Sequence, residues 1–196
     1  MIRVHDKSFT PYLTAGDIEK AIQRVAGDIN RDYRGKHPLF ISILNGSFMF
    51  AADLLRALHR VGLEPQVEFF HLSSYLSGTV SSGTVKILRD IESSVRDRDV
   101  LLVDDILESG RTLAFAKDLL TARGARRVLV CTMLEKPGKR AVEVGADFVG
   151  FVCPDVFVVG YGMDVAHSYR ELPFIGRVVT AQDAAEAAIP ETVTRV

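Results

Sequence analysis

The stretch VLLVDDILESGRT, residues 100–112, decides how the rest of the chain is read. Val100, Leu101, Leu102 and Val103 are apolar without alternation, and Arg98 and Asp99 precede them. Such a run predicts a strand buried on both faces of a parallel sheet. Two adjacent carboxylates follow, Asp104 and Asp105. In open α/β sheets ligands enter outside the carboxyl ends of the strands, so this pair stands where a ligand would arrive. Side chains alternate along a strand, so the two carboxylates cannot point the same way. Ser109, Gly110, Arg111 and Thr112 then make a tight polar turn ahead of a helical pattern in which Leu113, Ala116 and Leu120 share a face. Gly110 permits a backbone conformation that other residues resist. The free N–H groups and dipole of a helix start favour an anion, and the Ser109 and Thr112 hydroxyls add donors. The turn is therefore a candidate phosphate cradle.

On either side of this stretch, strand and helix patterns alternate. Thr14 and Asp17 have the spacing of a capping box, and Ile18, Ile22, Val25, Ile29 and Tyr33 follow helical periodicity. Residues 39–44 read as a strand, and Phe48, Ala51, Leu55 and Leu58 mark a second helix. Further strands are expected at 67–72, 84–88, 128–134 and 148–152, with helices between the later ones. This alternation predicts an α/β fold, a mostly parallel central sheet flanked by helices with right-handed crossovers. No internal repeat or linker is visible, so residues 1–196 read as one domain. Residues 73–84, SSYLSGTVSSGT, are rich in Ser, Gly and Thr and read as a mobile loop. The Ala-rich tail at 180–196 reads as a short helix before a frayed end.

Composition narrows the classes. With 196 residues, 47% hydrophobic, the chain can bury one sizeable core. Its net charge of −1 supplies no global basic field, so no nucleic-acid partner is expected and an anionic ligand must be held by local groups. Cys131 and Cys153 lie in or beside apolar segments without metal spacing and read as reduced core thiols. His5, His37, His59, His71 and His167 show no paired ligand spacing, which gives a zinc site little support. No leader or membrane-spanning run is apparent, so the cytoplasm is the simplest expectation.

Taken alone, residues 100–112 leave plainer readings open. Asp104 and Asp105 can be strand-end acids, and Ser109 an ordinary helix N-cap. Four apolar residues before Asp-Asp also suit the metal-binding strand of a nucleoside triphosphatase. That class needs two glycines four residues apart followed by Lys and Ser/Thr, and no such string occurs.

VLLVDDILESGRT resembles the phosphoribosyl-pyrophosphate (PRPP) binding motif of the type I phosphoribosyltransferases. LNGSFMFAADLL at 44–55, Ser74 and Tyr75, MLEKPGKR with Lys136, and DFVGFVCPDVFVVGYGMD at 147–164 are similar to the hypoxanthine-guanine phosphoribosyltransferases, and the match covers about residues 9–177. The resemblance implies a small hood built from the N- and C-terminal segments. It implies transfer of 5-phosphoribosyl from PRPP to a 6-oxopurine, with Mg2+ as cofactor. Asp104 and Asp105 would hold the ribose hydroxyls and the metal's water shell, while Ser109, Gly110, Arg111 and Thr112 wrap the 5-phosphate. Asn45, Gly46 and Arg170 would hold pyrophosphate, and the 73–84 loop, with Ser74 and Tyr75, would close as a lid. Phe157 would stack on the base, the Val158 backbone read its edge, and Asp164 lie near the base and a second metal. Lys136 carries only donors, so it favours a carbonyl over an amino group at carbon 6. A homodimer or homotetramer is also implied.

Two departures stand out. The family usually carries aspartate, the general acid/base toward purine nitrogen 7, where this chain has Glu108. Glu has the same chemistry with one more methylene. Asn45 stands where many members carry lysine. Three hypotheses therefore remain: a hypoxanthine-guanine salvage enzyme, a phosphoribosyltransferase with another base preference such as xanthine, and a non-catalytic or RNA-binding regulator on the same fold.

Overall fold

The computed structural model describes residues 2–4, 7–74 and 85–179. In chain order the elements are β1 (Ile2–Val4), β2 (Lys7–Leu13), α1 (Ala15–Tyr33), β3 (Leu39–Leu44), α2 (Phe48–Arg60), β4 (Gln66–Ser74) and β5 (Val85–Arg89). They continue with β6 (Asp99–Leu107), α3 (Arg111–Ala122), β7 (Arg127–Glu135), β8 (Phe148–Val152), β9 (Val158–Val159) and β10 (Ile175–Val179).

α1 begins where its capping box places it: Asp17 N–H donates to Thr14 Oγ1 at 3.2 Å, and Thr14 N–H donates to Asp17 Oδ2 at 3.0 Å. Its buried stripe is Ile18, Ile22, Val25, Ile29 and Tyr33, with Ala21 and Ala26 between. Tyr33 ends the helix by driving its hydroxyl into the core, where it donates to the Val100 carbonyl at 2.9 Å. Burial of that hydroxyl pushes its ionisation well above the ordinary tyrosine range.

The central sheet has the order β5-β4-β3-β6-β7-β8. Every adjacent pair is parallel except β4 with β5, which is antiparallel. β6 is therefore interior, and Val100 to Val103 are fully buried. Leu101 and Val103 face the layer under α1 and α2, with Phe40, Phe50, Leu54 and Leu58. Val100 and Leu102 face α3, with Leu39, Ile41, Phe70, Leu113, Ala116 and Leu120. The unbroken apolar run thus records two cores, one on each face. Removing one such side chain, as in Leu101→Ala, costs about 2–5 kcal/mol.

A second sheet, β1-β2-β10-β9, is antiparallel throughout and joins the two ends of the described chain into the hood. Three local expectations are corrected. The connection from β7 to β8 contains only a 3-10 turn, Pro137–Lys139, rather than an α-helix. Pro137, Gly138 and Gly145 disfavour a helix there. In α2 the buried face runs through Phe50, Ala51, Leu54, Ala57 and Leu58, leaving Phe48 39% exposed and Leu55 only partly covered. Ser73 and Ser74 belong to β4 and pair with Lys86 and Val85 rather than to a loop. Tyr75, the rest of the 73–84 loop and the 180–196 tail lie outside the described residues. Cys131 and Cys153 are free and buried. Among the described residues no helix is long and apolar enough to cross a membrane.

Candidate active site

β6 carries Asp104 and Asp105 out of the core at its carboxyl end. Asp104 faces the α3 side and is 7% exposed, while Asp105 faces the turn before α2. Backbone geometry holds each in place: Asp105 N–H donates to Asp104 Oδ1 at 3.0 Å, and Ile106 N–H donates to Asp105 Oδ1 at 2.8 Å. Burial raises the pKa of both. Asp104 lies well above the ordinary carboxylate range because the neighbouring Asp105 charge adds to desolvation. For Asp105 burial is partly offset by hydrogen bonds and by the positive field of Arg170.

Asp105 is also the contact point of the turn after β3. A Cβ on Gly46 would sit 1.8 Å from Asp105 Oδ2, and a Cβ on Gly162 would sit 2.0 Å from the Gly46 carbonyl oxygen. Gly162, at φ +97°, Gly46 and Asp105 therefore stack backbone on backbone on carboxylate, so closely that a Cβ at either glycine would force its neighbour to move. The Leu44–Asn45 peptide is cis. Arg170 secures the other side, donating from Nη1 to the Gly162 carbonyl at 2.6 Å and pairing through Nη2 with Asp164 Oδ1 at 2.7 Å. It is not a solvated surface arginine. Asp164 Oδ2 accepts from His167 N–H at 2.7 Å, so both Asp164 oxygens already have protein donors.

Two cavities open here. One, of about 280 Å³, is lined by Gly46, Asp104, Asp105, Ile106, Leu107 and the turn Glu108–Gly110 with Thr112. Gly110 is the N-cap of α3 at φ +81°, and a Cβ there would meet Val144 at 2.6 Å, so the turn requires glycine for both conformation and space. Ser109 is not the cap. Its hydroxyl accepts from Arg111 N–H at 3.5 Å, and Arg111 does not line the cavity.

The second cavity, about 410 Å³, contains Lys136, Phe157, Val158, Met163 and Asp164, and shares Asp105, Ile106 and Glu108 with the first. Lys136 leaves the end of β7 with its side chain 6% exposed, and its Nζ lies 3.5 Å from Glu108 Oε2. Val158 is buried in β9, whereas Phe157 just before it is 55% exposed at the cavity wall. An exposed phenyl beside a buried ammonium is a face on which a flat ring can stack. The Lys139–Asp155 pair, 2.9 Å apart, also lines this cavity. Lys139 and Arg140 lie inside MLEKPGKR, and Asp155 and Gly162 inside the 147–164 motif, yet none of them carries a periodicity or turn signal that marks it as part of the site. Their partners come from other strands.

Among the described residues no three His, Cys, Asp or Glu side chains converge to cage a metal. The donor set nevertheless suits Mg2+: Asp104 and Asp105 are hard oxygen donors, buried at a cavity wall. Mg2+ is ordinarily held by one or two carboxylates, with waters and substrate phosphates completing its shell.

A doubly covered sheet with acids at the end of an interior strand, a glycine turn opening a helix and an adjoining cavity walled by an exposed phenyl suit a phosphoribosyltransferase. The match to the phosphoribosyl transferase domain, over residues 9–166, agrees with it. The hypoxanthine-guanine phosphoribosyltransferase of Bacillus subtilis is 41% identical over 82% of this chain and 87% of its own length. A solved hypoxanthine-guanine phosphoribosyltransferase from Bacillus anthracis, 39% identical, superposes with a TM-score of 0.81 over 87% of this chain and 98% of that one. The bifunctional TilS/HprT protein of Listeria monocytogenes is 44% identical over 84% of this chain, which spans only 25% of that protein. The chain belongs to the hypoxanthine-guanine phosphoribosyltransferase family.

Proposed function

We propose that this protein is a purine-salvage enzyme that transfers 5-phosphoribosyl from PRPP to hypoxanthine or guanine. The C1–oxygen bond to pyrophosphate breaks, a C1–nitrogen bond to the purine forms, and the purine gives up a proton. The observation that carries this reading is the shared wall: Asp105, Ile106 and Glu108 line both the acidic cavity and the cavity holding Lys136 and Phe157. Sugar and base can then meet at a single boundary, which converts a bimolecular step into an oriented one.

In this reading the Ser109–Thr112 turn takes the 5-phosphate on the N–H groups at the start of α3. Asp104 and Asp105 accept hydrogen bonds from the ribose hydroxyls and hold Mg2+. Mg2+, when bound, neutralises the charge that builds on the pyrophosphate leaving group. Gly46 and Asn45 present backbone to that leaving group, and Arg170 offers a cation beside it. Asp164, already paired with Arg170 and His167, acts on the base side by accepting from an amino group at carbon 2, directly or through water, and on a second metal. Phe157 stacks on the purine, the Val158 backbone reads its edge, and Lys136 donates to the oxygen at carbon 6. Glu108 exchanges a proton with nitrogen 7 and stands 3.5 Å from the Lys136 ammonium. Ser74 ends β4, the strand that leads into the segment for which the resemblance implies a lid excluding water. The same reading places a homodimer or homotetramer in the cytoplasm.

The test is an ultraviolet assay with PRPP and Mg2+, offering hypoxanthine, guanine, xanthine and adenine in turn. Turnover of the first two with adenine a poor substrate supports the reading. Preferred use of xanthine moves the protein to the second hypothesis, and PRPP binding without turnover of any base moves it to a regulator.

A further inference from the structure

Arg140 lines neither cavity, yet its guanidinium donates to five acceptors beside them. Its Nη1 donates to the carbonyls of Leu107 at 2.8 Å, Glu108 at 2.7 Å and Lys136 at 3.3 Å. Its Nε donates to the Val144 carbonyl at 3.2 Å, and its Nη2 to Glu135 Oε1 at 2.6 Å. The side chain is only 20% exposed. Carbonyls at the end of a sheet lose their ladder partners and must find donors elsewhere. Here one planar guanidinium joins the segments leaving β6 and β7: it donates to the Glu108 carbonyl, and it adds to Lys136 N–H on the Leu107 carbonyl and to Lys139 N–H on the Lys136 carbonyl.

We infer that Arg140, oriented by Glu135, is a positioning residue that sets the Glu108 carboxylate against the Lys136 ammonium. Glu108 and Lys136 approach from the ends of different strands, and Arg140 binds the main chain of both. Neighbouring contacts tie the phosphate turn to the same segment: Lys136 N–H donates to the Leu107 carbonyl at 2.9 Å, and Ala141 N–H to the Ser109 carbonyl at 2.9 Å. The proton-transfer group and the base-reading group therefore share one anchor, while the phosphate turn keeps its own tie through Ala141 N–H. Lysine cannot replace it, because its donors radiate from a single nitrogen whereas the guanidinium fork spans several acceptors in a plane. The inference rests on the proposed purine transfer, since it assigns Arg140 to that transfer's fidelity as well as its rate.

The experiment compares wild type, Arg140→Lys and Glu135→Gln with hypoxanthine and with adenine, measuring kcat, both KM values and the melting temperature. A displacement of about 1 Å at reacting groups costs on the order of 10²-fold in rate. Arg140→Lys should therefore lower kcat for hypoxanthine by roughly 10- to 100-fold, leave the PRPP KM within about threefold, and narrow the hypoxanthine-to-adenine ratio of kcat/KM at least tenfold. Glu135→Gln, which keeps an acceptor but loses the charge, should move kcat and the ratio in the same direction by less. A lower melting temperature with unchanged kcat and base ratio would overturn the inference, because a purely structural tie moves only stability. If Arg140→Lys fails to fold, an unchanged ratio in Glu135→Gln overturns it equally. Wild-type protein that turns over no purine would instead sink the proposed function, and this inference with it.

Discussion

Gly46→Ala separates a local catalytic contact from a global packing one. The added Cβ would lie 1.8 Å from Asp105 Oδ2 and 2.6 Å from its Cγ, where ordinary contact begins at 3.4 Å. The carboxylate must withdraw by about 1.5 Å, and because it is the far end of a side chain it can do so. Its hydrogen bond from Ile106 N–H, at 2.8 Å, is then lost. One such bond contributes about 1 kcal/mol, or a melting shift of roughly 2–4 °C for a chain of this size. The catalytic cost is larger. At about a hundredfold per ångström of misplacement, kcat/KM for PRPP should fall at least 10²-fold, equivalent to about 2.7 kcal/mol of transition-state stabilisation. Gly162→Ala is the contrast, because its Cβ would meet the Gly46 carbonyl oxygen at 2.0 Å from a backbone at φ +97°. Backbone cannot swing aside. The conformational penalty of about 1–2 kcal/mol adds to overpacking of about 1–3 kcal/mol, lowering the melting temperature by roughly 10 °C. Thermal melts and initial rates of nucleotide formation on both variants decide the matter. Wild-type kcat/KM in Gly46→Ala would show that the pyrophosphate turn and Asp105 are not mechanically coupled, and a 10 °C loss in that variant would show that the side chain does not absorb the clash.

Three further outcomes are expected. Because the folded pKa of Asp104 lies above its unfolded value of 3.8, the unfolded chain releases the proton first, and the metal-free protein loses stability as pH rises from there through the folded pKa. Asp104→Asn should flatten that slope and raise the melting temperature at neutral pH while abolishing Mg2+-dependent PRPP binding; an unchanged pH–melting curve would refute the cause. Lys136→Met keeps much of the buried stem but removes the donor, so hypoxanthine kcat/KM should fall by about 10²-fold or more while adenine changes little; equal losses for both bases would refute the reading role. Glu108→Gln should reduce kcat by roughly 10²- to 10⁴-fold with substrate KM values preserved, and a variant retaining most of the wild-type rate would remove Glu108 from proton transfer.

Short-range physics was legible in the sequence. The doubly buried β6 followed from an unalternated apolar run, the start of α1 from the Thr14–Asp17 spacing, and the αL turn at Gly110 from glycine ahead of a helical pattern. Each depends on sterics and hydrogen bonds within a few residues. Where a helix was expected between β7 and β8, Pro137, Gly138 and Gly145 were local warnings, but the use made of that segment was not visible. Its arginine ties β6 to β7, and only the parallel register that sets Leu107 beside Glu135 brings those acceptors together. The approach of Lys136 to Glu108, the stack of Gly162 on Gly46 on Asp105, and the Asp164–Arg170 pair likewise join separate elements. Which chemical groups emerge at the strand ends was therefore legible from residue order, because pattern and turn chemistry act locally. Which of those groups touch was decided by strand order, register and the packing of the hood, properties of the whole chain closing on its two cores.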